Sequence, residues 1–281
     1  MKILLTTDFT EASYHAIDYI KSLTKNWSSD STSFVIVHGY QTLAPYPMTT
    51  DSVEPQNPAV PVIEDQELQK QLRAKFDELA EELKQHINLT AQYFEIGTLS
   101  LVIEDLMEKE SPDLIVMGTR EKNAFERMAV GTNTIEVVSK TSVPVLAVPK
   151  EASTKPISNL SFGLDVTTDE WPTRSLDFLK RWTTLNGSSL EVVSVADKGS
   201  EKQIKERMKN TAVHQQLIDL DHDHKAIVHK DVYEGITSYV NEKQPDVLAI
   251  VAGERSFWDR IFHQTKTEKL AHHLQIPVLL L

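Results

Sequence analysis

The chain has 281 residues, enough for two domains of ordinary size, and its 40% hydrophobic and 25% charged content is that of a globular protein. It contains no cysteine, which excludes disulfides, thiol catalysis and cysteine metal sites. A net charge of −12 argues against broad nucleic-acid binding, which needs a basic face. MKILLTTD is too short an apolar run for a signal peptide, and no stretch approaches the ~20 apolar residues of a membrane helix. A cytoplasmic protein without membrane contact is therefore expected.

In chain order, Lys2–Thr7 reads as a strand ending at Asp8, and Thr10-Glu11-Ala12-Ser13 starts a helix with Ala16, Ile17, Ile20 and Leu23 on one face. Phe34–Gly39 is a second buried strand. Residues 41–62 carry five prolines and no period, the mark of a long surface excursion. Leu68, Leu72, Phe76, Leu79 and Leu83 then repeat at helical spacing, the apolar stripe of a helix that covers a sheet. Ala91–Ile96 is a third strand, and Leu99, Val102, Ile103, Leu106 and Met107 mark the next helix. Leu114–Met117 is an apolar run suited to a parallel strand covered on both faces, and Gly118 is expected to end it. Gly131-Thr132-Asn133 opens a helix whose apolar side is Ile135, Val137 and Val138; Asn133 and Glu136 have capping-box spacing. A helix start beside a glycine offers free N–H groups and the positive end of a dipole, a ready anion site. Val145–Val148 is the fifth strand. Alternating strands and helices demand a parallel sheet with right-handed crossovers.

The pattern then repeats. Ile157–Asp165 corresponds to the first strand and its aspartate. Thr167 and Glu170 have capping-box spacing, and Trp171-Pro172 fits a first helical turn ahead of Leu176, Leu179 and Trp182. Leu190–Ala196, Ala226–His229, and the helix of Ile236, Tyr239 and Val240 follow. Pro112-Asp113, Arg127, Thr132 and Pro144-Val145-Leu146 match Pro245-Asp246, Arg260, Thr265 and Pro277-Val278-Leu279 at one gapless offset of 133. Asp8 and Asp165 are offset by 157, and the difference of 24 is about the size of the proline-rich excursion. This is a tandem duplication, 1–150 and 151–281, joined near Lys150–Pro156.

The segments TTDFTEASYHAI, VIVHG, PDLIVMGTR, the Gly131-Thr132 pair and PVLAVP resemble the universal stress protein family, twice and over essentially the whole chain. The resemblance implies an α/β fold of two tandem doubly wound five-stranded parallel sheets, each ordered 3-2-1-4-5, flanked by helices and related by a pseudo-twofold. In that order strands 1 and 4 are neighbours, and a ligand crevice opens at their carboxyl ends. Pairing of the edge strands Val145–Val148 and Pro277–Leu281, antiparallel, would give an intramolecular pseudo-dimer and protect both edges. Homodimers remain open.

ATP-binding members of the family look like Gly-x2-Gly-x9-Gly-Ser/Thr here; this chain has Gly118, Glu121, Gly131 and Thr132 at that spacing. The resemblance implies that Asp8 contacts the adenine–ribose end; Thr7 beside it is a further candidate, and His38, at the end of the second strand near the crevice, either lines it or simply packs. The backbone at Gly118, Gly131, Thr132 and Asn133 would then cradle ribose and phosphates of ATP or a related adenine nucleotide, with Mg²⁺, and Arg120 is a candidate contact beside them. Glu121 opposes this: a negative charge ~4 Å from phosphate, at an effective dielectric of ~20, costs on the order of 4 kcal/mol. Arg120, Lys122, Arg127 or Mg²⁺ could offset it. In the second half Gly118 becomes Val251 and Gly131 becomes Gln264, which reads as a degenerate site kept for pairing.

Phe257, Trp258, Ile261 and Phe262 read as a satellite core under a loop rather than a plug or partner patch. Asp221-His222-Asp223-His224 reads as a solvated loop rather than a metal site, and no metal site is expected. His272 and His273, neighbours on a helix, face different directions. No hydrolase elbow, P-loop or dinucleotide fingerprint is present, and no residue is assigned as catalytic. Three functions are weighed: a nucleotide-responsive stress regulator read by an unidentified protein partner, a nucleotide-free interaction scaffold, and, ranked last, a slow ATPase.

Overall fold

A computed structural model describes residues 1–25, 27, 32–40, 62–119, 132–164, 173–251 and 275–281. The first half runs β1 (Lys2–Thr6), α1 (Glu11–Thr24), β2 (Ser33–Tyr40), α2 (Val62–Lys84), β3 (Leu89–Ile96), α3 (Leu99–Glu110), β4 (Leu114–Thr119), α4 (Thr132–Lys140) and β5 (Val145–Pro149). The second runs β6 (Asn159–Gly163), α5 (Thr173–Asn186), β7 (Ser189–Ala196), α6 (Glu201–Lys209), α7 (Ala212–Gln216), β8 (His222–Val228), α8 (Val232–Lys243), β9 (Val247–Ile250) and β10 (Val278–Leu280).

Each half has the expected order, β3-β2-β1-β4-β5 and β8-β7-β6-β9-β10, all parallel within the half. The expectation of two sheets needs one correction: they are fused into a single ten-stranded sheet. β5 and β10 pair antiparallel, Ala147 opposite Val278, Leu146 opposite Leu279 and Val145 opposite Leu280. The physical reason is edge protection, since each strand alone would present a row of unpaired N–H and C=O groups.

Two apolar layers cover the sheet, and both cross the seam. On one face Ile3, Leu5, Ile20, Phe76 and Leu146 join Phe162, Leu176, Trp182 and Leu279 in one core. On the other, Leu4, Val35, Ile103 and Val145 join Val193, Ile236, Leu248 and Leu280. The connecting segment is tied down along α1: Ser22 donates to the Thr154 carbonyl (2.9 Å), and a His15 ring nitrogen meets the Ala152 carbonyl at 2.8 Å. Trp27, just after α1, packs edge-on against Trp182 of α5, ring centres 5.4 Å apart, so the two halves also touch here.

The repeated Pro-Asp pairs do the same structural job twice. Asp113 accepts from the Lys2 amide (2.7 Å), and Asp246 accepts from the Ser158 and Asn159 amides (2.8 and 2.9 Å). Each aspartate latches the start of its half's first strand.

Several local expectations change. Gly118 lies inside β4, which continues to Thr119. Asn133 already lies inside α4, and Glu136 accepts from Ser100 on α3 instead of closing a capping box. Ile135 is exposed, and Thr134 with Val137 takes the buried side. The stretch 221–224 is no loop, because β8 begins at His222. Residues 41–61, the pairs Thr167/Glu170 and Trp171-Pro172, the cluster Phe257–Phe262 and His272-His273 lie outside the described residues.

Because both halves share two cores, they unfold as one unit. Leu279→Ala, at a fully buried seam position, is expected to cost about 2–5 kcal/mol. Urea melts followed by tryptophan fluorescence and by circular dichroism are expected to coincide, in the wild type and in the variant.

Candidate functional site

β1 and β4 are adjacent, Leu5 opposite Val116. The helix after β1 lies on the face of Ile3, Leu5 and Val116, with Ala16, Ile17 and Ile20 packed there. The helix after β4 lies on the other face, with Val137 beside Ile115, Met117 and Ala147. The two crossovers leave in opposite directions, so a crevice opens where β1 and β4 end.

Asp8 stands at that crevice, exposed, one residue beyond buried Thr7. Its Oδ1 accepts from the Thr10 amide (3.1 Å) and the Thr10 hydroxyl, next to the start of α1, where a carboxylate is favoured by the helix dipole. Ser13 closes the turn, accepting from the Thr10 amide at 3.1 Å and donating to the Thr10 carbonyl at 2.9 Å. Phe9 has φ of +60°, a region that costs a non-glycine residue roughly 1–2 kcal/mol. That backbone sets its ring 4.6 Å from the ring of His38.

His38, near the end of β2, is buried between Phe9 and Phe94, the latter 5.1 Å away. Nδ1 lies 2.7 Å from the Thr7 carbonyl, so it carries the proton and donates, leaving Nε2 with a lone pair. Burial lowers its pKa, opposed by the Thr7 bond and the charge of Asp8. An aromatic wall continues behind it: Phe94 meets Phe76 at 5.7 Å, and the Arg73 guanidinium sits 5.3 Å over the Phe94 ring.

Gly118 is required by packing. A Cβ there would lie 2.3 Å from the Ala12 carbonyl oxygen and 2.6 Å from the Ser13 amide. The glycine lets the first turn of α1 rest on β4. In the second half the matching Val251 is buried in the core.

Of the residues singled out from the sequence, Thr7, Asp8, His38 and Gly118 come together around the first turn of α1. Asn133 is exposed in the first turn of α4. Thr132 is described as helix backbone only. Arg120, Gly131 and Glu121 lie outside the described residues, as do Asp165, Gln264 and Thr265. Phe9 and Phe94 escaped the sequence reading; the signal for Phe94 was its place in a strand register opposite His38.

Within each half, a parallel sheet wound both ways from its centre defines a doubly wound α/β protein. The universal stress protein family profile matches residues 1–149, just over half of the chain, and the chain belongs to that family. The solved structure of a universal stress protein from Archaeoglobus fulgidus is similar over 99% of this chain and 97% of its own, with 17% identity and a TM-score of 0.68. A putative universal stress protein from Pseudomonas aeruginosa is similar over 100% and 92%, at 14% identity and a TM-score of 0.58. At such identities the likeness is one of fold. No curated protein matches. Among the described residues no helix is long and apolar enough to cross a membrane.

Two outcomes follow for this site. Gly118→Ala is expected to destabilise by about 1–3 kcal/mol, read by urea denaturation, because backbone on both sides must give way. The folded His38 pKa lies below the unfolded value of 6.5. Stability from the neutral ring is therefore complete above pH ~6.5 and is lost as pH falls below it. An NMR titration is expected to place the His38 midpoint under 6.5, and Asp8→Asn to lower it further by removing an attracting charge.

Proposed function

We propose that the first half binds an adenine nucleotide, ATP with Mg²⁺ or a close relative of it, as a regulatory ligand read by a protein partner. The observation that carries this is the crevice between β1 and β4, where Asp8 and His38 stand together at the rim of an aromatic wall. The described residues fit the nucleoside end. An exposed carboxylate is an acceptor for ribose hydroxyls, the His38 Nε2 lone pair is an acceptor for a base N–H, and aromatic rings stack on a purine. The start of α4 supplies the amide-rich end that suits phosphate. Strain held at Phe9 is typical of a ligand-binding turn.

Glu121 favours a second reading, a nucleotide-free scaffold, because it stands where ATP-binding relatives carry glycine. Thermal denaturation separates the two. Ligand present at about 100 times its Kd adds roughly 2.7 kcal/mol, which raises Tm by roughly 5 °C in a chain of this size. ATP with Mg²⁺ is expected to give such a shift in the wild type and none in Asp8→Ala, measured against that variant's own baseline. No wild-type shift, with one appearing in Glu121→Gly, would support the scaffold instead.

A further inference from the structure

The outer edge of the second half carries a cluster that the crevice does not use. β8 is the last strand of the sheet, and its alternation puts His222 and His224 on one face, opposite Leu190 and Val192 of β7. That face is covered by α6 and α7, through buried Ile204, Met208, Val213 and Leu217. His214 projects from α7, which Thr211 anchors twice. The Thr211 hydroxyl donates to the Met208 carbonyl (2.7 Å) and accepts from the His214 amide (3.2 Å). The three imidazoles meet with ring centres 4.9 to 5.2 Å apart.

We propose that His214, His222 and His224 form a binding site for one divalent transition-metal ion of the zinc class. One nitrogen from each ring lies within 4.8 Å of the others, and the three rings are half-buried. Tetrahedral Zn²⁺ with Zn–N of about 2.0 Å needs nitrogens roughly 3.3 Å apart. His214 Nδ1 and His222 Nε2 are already at 3.0 Å.

The tautomers are arranged for it. His222 Nδ1 is 2.7 Å from the Leu220 carbonyl, so it is the donor, and Nε2 turns its lone pair toward His214. A backbone carbonyl holding the far nitrogen of a ligand ring is the usual support of a metal-bound histidine. A proton on His214 Nδ1 now bridges the pair. Moving it to Nε2, the other tautomer of the same neutral ring, opens a second lone pair with no net change in charge. The cluster's geometry leaves each ring a nitrogen to offer to one shared point.

Lys209 on α6 lies close enough to the cluster to oppose a metal charge. The exposed Asp221 and Asp223 alternate with the two β8 histidines, and the chain as a whole carries −12. Three nitrogen donors without thiolates suit Zn²⁺, Co²⁺ or Ni²⁺ over Mg²⁺ or Ca²⁺. With three protein ligands, a fourth position is left for water or a donor from a partner.

The site stands apart from the nucleotide crevice. β4 and β8 are six strand spacings apart in the sheet, roughly 30 Å at ~4.8 Å each. An ion there would clamp α7 to the edge strand and act on stability independently of ATP.

The test is calorimetric titration of ZnCl₂ into the metal-stripped full chain, with Co²⁺ absorption as a second reading. The wild type is expected to take up one Zn²⁺ at this site and to show the intense visible bands of tetrahedral cobalt. His222→Gln and His224→Gln are each expected to weaken that binding by more than the about 10–100-fold typical of losing a supporting contact. A His272→Gln/His273→Gln double variant is expected to keep it. Absence of zinc binding or of the tetrahedral cobalt bands in the wild type would overturn the proposal. So would zinc binding unchanged in folded His222→Gln and His224→Gln. If those variants do not fold, the wild-type cobalt spectrum decides alone.

Discussion

The antiparallel seam between β5 and β10 is the constraint on which the rest of the molecule depends. Two parallel sheets with the same winding order each end in a short, apolar strand. Those strands have buried side chains and would otherwise expose unpaired backbone. Pairing them inside one chain satisfies both edges and fuses the apolar layers on either face. Because the seam is antiparallel while each half is internally parallel, the carboxyl ends of the two sets of strands point to opposite sides of the sheet. The two switch-point crevices cannot merge into one site. Each half must supply its own ligand chemistry, or none.

That independence let the halves diverge. In the first, Gly118 brings α1 down onto β4 and gathers Thr7, Asp8 and His38 at one rim. In the second, Val251 occupies the matching position and is part of the core. The long α2 of the first half is replaced by the shorter pair α6 and α7, packed over the same type of edge. The three histidines belong to this replacement and have no counterpart on β3, whose corresponding layer is covered by α2.

Much of this was legible in the sequence, for reasons that can be named. Apolar runs at period 2 or 3.6 set the elements, and the gapless match of Pro112-Asp113 with Pro245-Asp246 exposed the duplication. The latching bonds of Asp113 and Asp246 explain why that pair recurs. The seam was foreseeable from edge chemistry alone. What sequence could not give were contacts between distant residues. The close approach of Ala12 to Gly118 is one of them. The start of β8 was missed because His222, Asp223 and His224 carry no apolar signal, although only every second position faces the helices. His214 was missed with α7, whose cue, Thr211 as N-cap ahead of Val213 and Leu217, is only one turn long.

The absence of native cysteine makes the seam directly measurable. Ala147 and Val278 are opposite one another on one face, within the separation a disulfide spans. Mild oxidation of Ala147→Cys/Val278→Cys should yield an intrachain bond in nearly every molecule, with the fold retained. A pair that stays reduced, or that links separate chains, would contradict the account.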